Sequence, residues 1–236
     1  MIDVNRFCLT YKVKKFIQGN GFLYSKHKYV FDKKSFYKNI SKKSTDICVE
    51  AYPSSANTYL MYLIKNLNDD VEISHHTHTI ANLKLAAQYN ISCVVLIREP
   101  LDAISSYAYR FFNNTDKLLN RSISEYINFY EYVQNNKDFM KVVEFQELID
   151  NPQTVLKNIQ QYSGMDLKLD KVDWDQLIET SLNNIKDNAK KRGRLKRGSF
   201  PSESKEKGKS EIKNRIKNTK KYERAKEIYN KLTERV

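Results

Sequence analysis

Between Ile47 and Ser163 short apolar runs alternate with stretches of helical periodicity, and this alternation constrains the fold more than any other feature of the chain. The runs at 47–52, 71–75, 92–97 and 140–145 have the length of strands; the stretches at 58–67, 79–88, 100–111, 121–136 and 152–163 have the length of helices. Strands separated by helices do not pair as hairpins. They line up in parallel and need cover on both faces. The pattern therefore predicts an α/β fold, a three-layer parallel sheet flanked by helices, whose ligands bind at the carboxyl ends of the strands. Two junctions fall there: Tyr52-Pro53-Ser54-Ser55-Ala56-Asn57-Thr58 after the first run, and Arg98-Glu99-Pro100 after the third.

The flanks are polar. Residues 1–46 are Lys-rich, with a helix expected at 5–17 and a turn at Gly19-Asn20-Gly21 ahead of the apolar pieces at 22–24 and 29–31. Beyond Trp174 the pattern is helical to about residue 190 and loses periodicity through 192–201; a basic helix over roughly 209–234 ends the chain. The whole reads as a single domain: an extension at 1–46, an α/β core at 47–185, and a basic segment with its helix at 186–236.

No apolar run approaches the roughly 20 residues that span a bilayer, and the first residues lack the charged and apolar regions of a leader. The three cysteines, Cys8, Cys48 and Cys93, form no CxxC pair, and two of them lie inside apolar runs. Buried thiols in a reducing compartment follow, and a cytoplasmic protein with no membrane partner is expected. The net charge of +13 admits nucleic acid as a partner, but residues 186–221 alone hold 15 Lys or Arg against 4 Asp or Glu. Charge confined in this way suits a solvated face, a flap over a polyanionic ligand, or a nucleic-acid tail.

Each junction has its own chemistry. The first lacks the GxxxxGK[ST] spacing and the lysine of a Walker A loop, which weighs against a kinase-like nucleoside-triphosphate site. It offers hydroxyls and an amide at a helix start, suited to an anion or to simple capping by Ser55 or Asn57. At the second, Arg98 presents a planar donor fork at a strand end, and Pro100 opens a helix with Asp102, Ser105 and Ser106 in its early turns. An Arg98–Asp102 ion pair is the alternative use of that arginine. Between the junctions stand His75, His76 and His78; alternation sends His76 and His78 to one side if the second strand runs that far. One of them can serve as a general base, since imidazole titrates near neutral pH. A zinc pair competes with that reading, but no third ligand is evident.

The order of these segments resembles a known family. A "YPxSxxT" loop, a histidine-bearing strand end, "RxPxDxxxS" and a later "[FY]x[DE]LxxxP" are together similar to the sulfotransferases that use 3′-phosphoadenosine-5′-phosphosulfate (PAPS), whose fold is P-loop-NTPase-like. The likeness covers about residues 47–164. It implies an enzyme that moves a sulfuryl group from PAPS to a hydroxyl acceptor, leaving 3′-phosphoadenosine-5′-phosphate (PAP).

Residue by residue, the family's "YPKSGTTW" loop falls on Tyr52 to Tyr59. The resemblance thus assigns Ser54, Ser55, Ala56, Asn57 and Thr58 to the 5′-phosphosulfate, and Tyr59 to the adenine. Ser54 stands where the family carries a lysine, so the charge that assists departure of the phosphate has to come from elsewhere. Arg98 and Ser106 match the 3′-phosphate ligands, and Phe145 the adenine contact. His78, in the register of the family's "KTH", is the general base, with His76 as the alternative. Lys196, Arg197 and Gly198 match part of a loop that closes over the cofactor. No metal is implied. The type of loop points to a glycan acceptor, and the segments at 1–46 and 110–136 are expected to select it.

Overall fold

The computed structural model describes residues 13, 16–31, 39–111, 116–191 and 203–234. In chain order the elements are α1 (Gly21–Phe31), β1 (Ile47–Ala51), α2 (Asn57–Leu67), β2 (Ile73–His75), α3 (Ile80–Gln88), β3 (Ser92–Ile97), α4 (Pro100–Phe111) and α5 (Asp116–Gln134). A short 3₁₀ turn at Lys137–Phe139 leads into β4 (Met140–Glu144), then α6 (Phe145–Asp150), α7 (Pro152–Ser163), α8 (Trp174–Lys191), α9 (Glu203–Lys217) and α10 (Lys220–Thr233).

Among the described residues the sheet has four strands in the order β2-β1-β3-β4, every pair parallel. Alternate residues of its strands enter two apolar layers. Cys48, Cys93, Val95 and Ile97 join side chains of α3, α4, α5, α9 and α10 on one face. Ile47, Val49, Val94 and Leu96 join those of α2, α7 and α8 on the other. This is the three-layer α/β architecture that the alternating pattern predicts. The chain leaves β1 toward β2 on one side and returns to β3 on the other. That change of direction opens a crevice between the carboxyl ends of β1 and β3, where both junctions lie. Cys48 and Cys93 are free, buried and paired in register; Cys8 lies outside the described residues.

Three expectations change. The Gly19-Asn20-Gly21 turn is a helix start: Asn20 Oδ1 accepts from Leu23 N at 3.1 Å, and α1 runs through both apolar pieces. Tyr24 of α1 packs with Ile40, Ala81 and Leu85. The second strand ends at His75 as the apolar run does, and strand alternation does not place His76 and His78, because His76 (φ 59°) takes a left-handed backbone that no strand accommodates. The basic C-terminal helix is two helices, broken at Asn218-Thr219, where Thr219 adopts an extended conformation and opens α10. Both are docked. Ile212 and Ile216 of α9 and Tyr222, Ala225 and Ile228 of α10 are buried in the core layer. Lys213 pairs with Asp102 at 2.6 Å, Arg215 with Asp116 at 2.6 Å and Arg224 with Glu131 at 2.9 Å. Such exposed pairs contribute little, so the buried apolar stripe is what holds these basic helices in place.

Candidate functional site

The β1–α2 loop is built around backbone that side chains disfavour. Ser54 (φ 74°) and Ala56 (φ 68°) are left-handed, each at a cost of roughly 1–3 kcal/mol. Ala56 in that conformation followed by helical Asn57 makes a concave run of N–H groups, and the first amides of α2 have no intrahelical acceptor. The side chains add to this. Ser55 Oγ and both polar atoms of the Asn57 amide are buried without a hydrogen-bond partner, although Ser55 lies near the Tyr130 hydroxyl. Leaving buried polar groups unpaired costs about 1–3 kcal/mol each. Capping of α2 by Ser55 or Asn57, the bland alternative for these residues, is absent: the N-cap is Ala56 and no side chain caps it.

A group of buried tyrosines from α5 fixes the two strand ends that frame the crevice. Tyr126 donates to Arg98 O at 2.8 Å and Tyr130 to Leu96 O at 2.7 Å. Tyr130 also accepts from Tyr52 N at 3.2 Å, so one hydroxyl ties β1 to β3. Burial pushes both phenols well above the usual tyrosine range, and they remain neutral donors.

Cationic side chains enter from the second junction. Arg98 Nη1 donates to Ser54 O at 3.0 Å, which joins the two junctions into one site. Its guanidinium lies over the Phe145 ring, 4.1 Å from the centroid, so Phe145 supports Arg98 with one of its faces. Asp102 pairs with Lys213 of α9. Ser106 is buried on α4, and one turn further Arg110 donates through Nε to Ser106 O at 3.2 Å and through Nη2 to Ser54 Oγ. Burial, and then the charge of Arg98, hold Arg110 below the usual arginine range.

The histidines sit in a tight loop organised by Glu50, a fully buried carboxylate within β1. Its Oε1 accepts from Thr77 N at 3.0 Å, Thr77 Oγ1 at 2.7 Å and Asn82 Nδ2 at 2.9 Å, and its Oε2 from His78 N at 2.8 Å. Burial raises Glu50 above the ordinary carboxylate range, opposed by His78 and these hydrogen bonds. His78 Nδ1 lies 2.7 Å from Ala51 O. A carbonyl only accepts, so Nδ1 carries a proton in this contact and donates it to Ala51 O. His76 differs: its Nε2 is 2.8 Å from Thr58 Oγ1 and its Nδ1 is 2.6 Å from His75 Nδ1. His75 is lowered to about 4 by burial, with His78 and Lys65 contributing.

The crevice thus brings together Ser54, Ser55, Ala56, Asn57, Thr58, Arg98 and Ser106, with His78 against the last residue of β1. Tyr59 is buried in the apolar layer beneath α2. Lys196, Arg197 and Gly198 lie outside the described residues. His76 and His78 are neighbours, with ring centroids 5.9 Å apart, through two left-handed turns and not through strand alternation. Among the described residues no three His, Cys, Asp or Glu side chains gather as a metal site. Sequence reasoning missed Arg110 and Glu50. The first lies four residues after Ser106 and so on the same helix face; the second is a carboxylate inside an otherwise apolar strand.

No protein-family profile and no curated protein matches the sequence. Among solved structures, mouse sulfotransferase SULT7A1 complexed with PAP aligns with a TM-score of 0.49 and 15% identity, over 82% of this chain and 92% of that chain. No helix among the described residues is long and apolar enough to cross a membrane.

Proposed function

We propose that the protein is a PAPS-dependent sulfotransferase acting on a hydroxyl acceptor. The observation that carries the reading is the set of buried, unpartnered polar atoms of Ser55 and Asn57 at the start of α2, with the guanidinium of Arg98 anchored on the same loop. Donors left unpaired in the protein are complemented by an anion. In this reading the α2 end, with Ser55, Asn57 and Thr58, holds the 5′-phosphosulfate. Arg98 and Ser106 hold the 3′-phosphate, and Phe145 lies against the adenine.

His78 takes the acceptor's proton at Nε2, its Nδ1 being engaged with Ala51 O. When bound, PAPS would supply the sulfuryl group to the acceptor oxygen, with PAP as the leaving group. His76 positions Thr58 through their hydrogen bond, and Glu50 holds the turn that presents His78. The acceptor, on the resemblance of the loop, is a glycan.

The test is sulfated-product formation from PAPS over a panel of glycan, alcohol and phenol acceptors. His78→Ala is expected to abolish turnover while leaving PAP affinity within a few-fold. If His76→Ala abolishes it and His78→Ala does not, the base is misassigned; if both variants turn over normally, the general-base step is wrong.

A further inference from the structure

The neutral residue at position 54 leaves the reactive end of this site without a cation of its own, and α4 supplies one that the motif does not contain. Arg110 is fixed at two points, Nη2 on Ser54 Oγ and Nε on Ser106 O. Arg98 reaches the same residue from the other side, through Ser54 O. Two guanidiniums are therefore anchored on one loop residue, and burial, then the charge of Arg98, act against the charged form of Arg110. A polyanion bound against Ser54 meets both forks. The loop and the start of α2 hold two buried donors without a partner, the Ser55 hydroxyl and the Asn57 amide nitrogen, which an anion would complement.

We infer that Arg110 is the cation of the reactive end, contacting the 5′-phosphate of the nucleotide at the position where Ser54 cannot. The inference rests on the sulfotransferase reading and deepens it. Arg98 then serves the 3′-phosphate, Arg110 the 5′-phosphate, and Ser54 is the neutral spacer that lets a guanidinium from α4 enter where a loop lysine would collide with it electrostatically. As sulfur–oxygen cleavage proceeds, negative charge grows on the 5′-phosphate oxygen. A part-buried guanidinium fixed in advance stabilises that charge with little reorganisation.

Calorimetric titration of PAP, adenosine 5′-phosphate and adenosine 3′-phosphate into wild type, Arg110→Ala, Arg110→Gln and the double variant Arg110→Ala/Ser54→Lys tests this. Loss of Arg110 is expected to weaken PAP and the 5′-phosphate by the same factor, roughly 30-fold for one charge-assisted contact, and to leave the 3′-phosphate unchanged. Arg110→Gln keeps a donor for Ser106 O and is expected to lose as much, which separates charge from support of the fold. The double variant is expected to recover most of the loss. Unchanged affinity in the Gln variant, a loss confined to the 3′-phosphate, or no recovery with Ser54→Lys would overturn the inference while the sulfotransferase reading stands. Wild type binding none of the three nucleotides would overturn that reading itself.

Discussion

The β1–α2 loop and helix α4 meet at Ser54 and contribute opposite things to the crevice. The loop is uncharged, carries two left-handed residues and keeps Ser55 and Asn57 buried with nothing to bond. The helix is regular from its proline start and delivers Arg98 from the turn before it and Arg110 from its last turn, each secured on the loop's own atoms. Strain and unsatisfied donors are features of a region shaped for a ligand, whereas secured cations also serve the ligand-free fold. The difference teaches that charge and shape come from separate elements. Substitutions on the two sides should therefore separate affinity from stability.

The largest effect is expected on the helix side. Arg98→Ala removes the fork at Ser54 O and the stack on Phe145, and should weaken PAP about 100-fold, or ~3 kcal/mol, by calorimetry. Full retention of affinity would mean that the loop alone binds the anion. Next comes Glu50→Gln. An amide replaces one carboxylate oxygen with a donor and sets it against a group that also donates, so chemical denaturation should show a loss of about 2–3 kcal/mol, with turnover falling more than PAP affinity.

The His75 ring gives a pH signature of roughly 3 kcal/mol. With its folded pKa lowered to about 4 from an ordinary 6.5, the unfolded chain takes up a proton that the folded protein refuses between those values. Its contribution is complete above pH 6.5 and is lost as the pH falls toward 4. Melting curves of His75→Gln should lack that part of the wild-type decline. The smallest effect belongs to the loop and has a split sign. Ser55→Ala deletes an unpaired buried hydroxyl, so stability should hold or rise by a few tenths of a kcal/mol while PAP affinity falls about fivefold. A fall in both would show that Ser55 serves the fold.

Much of the architecture was legible because one physical rule governs it. Apolar runs between Ile47 and Ser163 had to be strands buried on both faces, and β1, β3, α2, α4 and α7 lie within a residue of where periodicity puts them. The misreadings have local causes. Gly19-Asn20-Gly21 carries both turn and capping signals, and the packing of Tyr24 against α3 decides for a helix. Asn218-Thr219 breaks the basic helix without the proline or glycine that marks such breaks. In the site, the strand-to-helix pattern put the loop and Arg98 at strand ends and Ser106 in the helix that follows, as they lie in the fold. It did not locate Arg110, because an arginine in a helix's last turn is ordinarily explained by the helix dipole. Nor did it reveal Glu50, whose role exists only once strand and histidine loop are brought together. The preference for His78 over His76 rests on register, and the turnover of the two alanine variants decides between them.

A crevice with two anion-binding ends distinguishes PAP from adenosine 5′-phosphate, and calorimetry on the unaltered protein compares the two. PAP is expected to bind with micromolar or tighter affinity and the monophosphate at least about tenfold more weakly, since it lacks the group assigned to Arg98 and Ser106. Equal affinities, or no heat from PAP, would contradict the two-ended crevice.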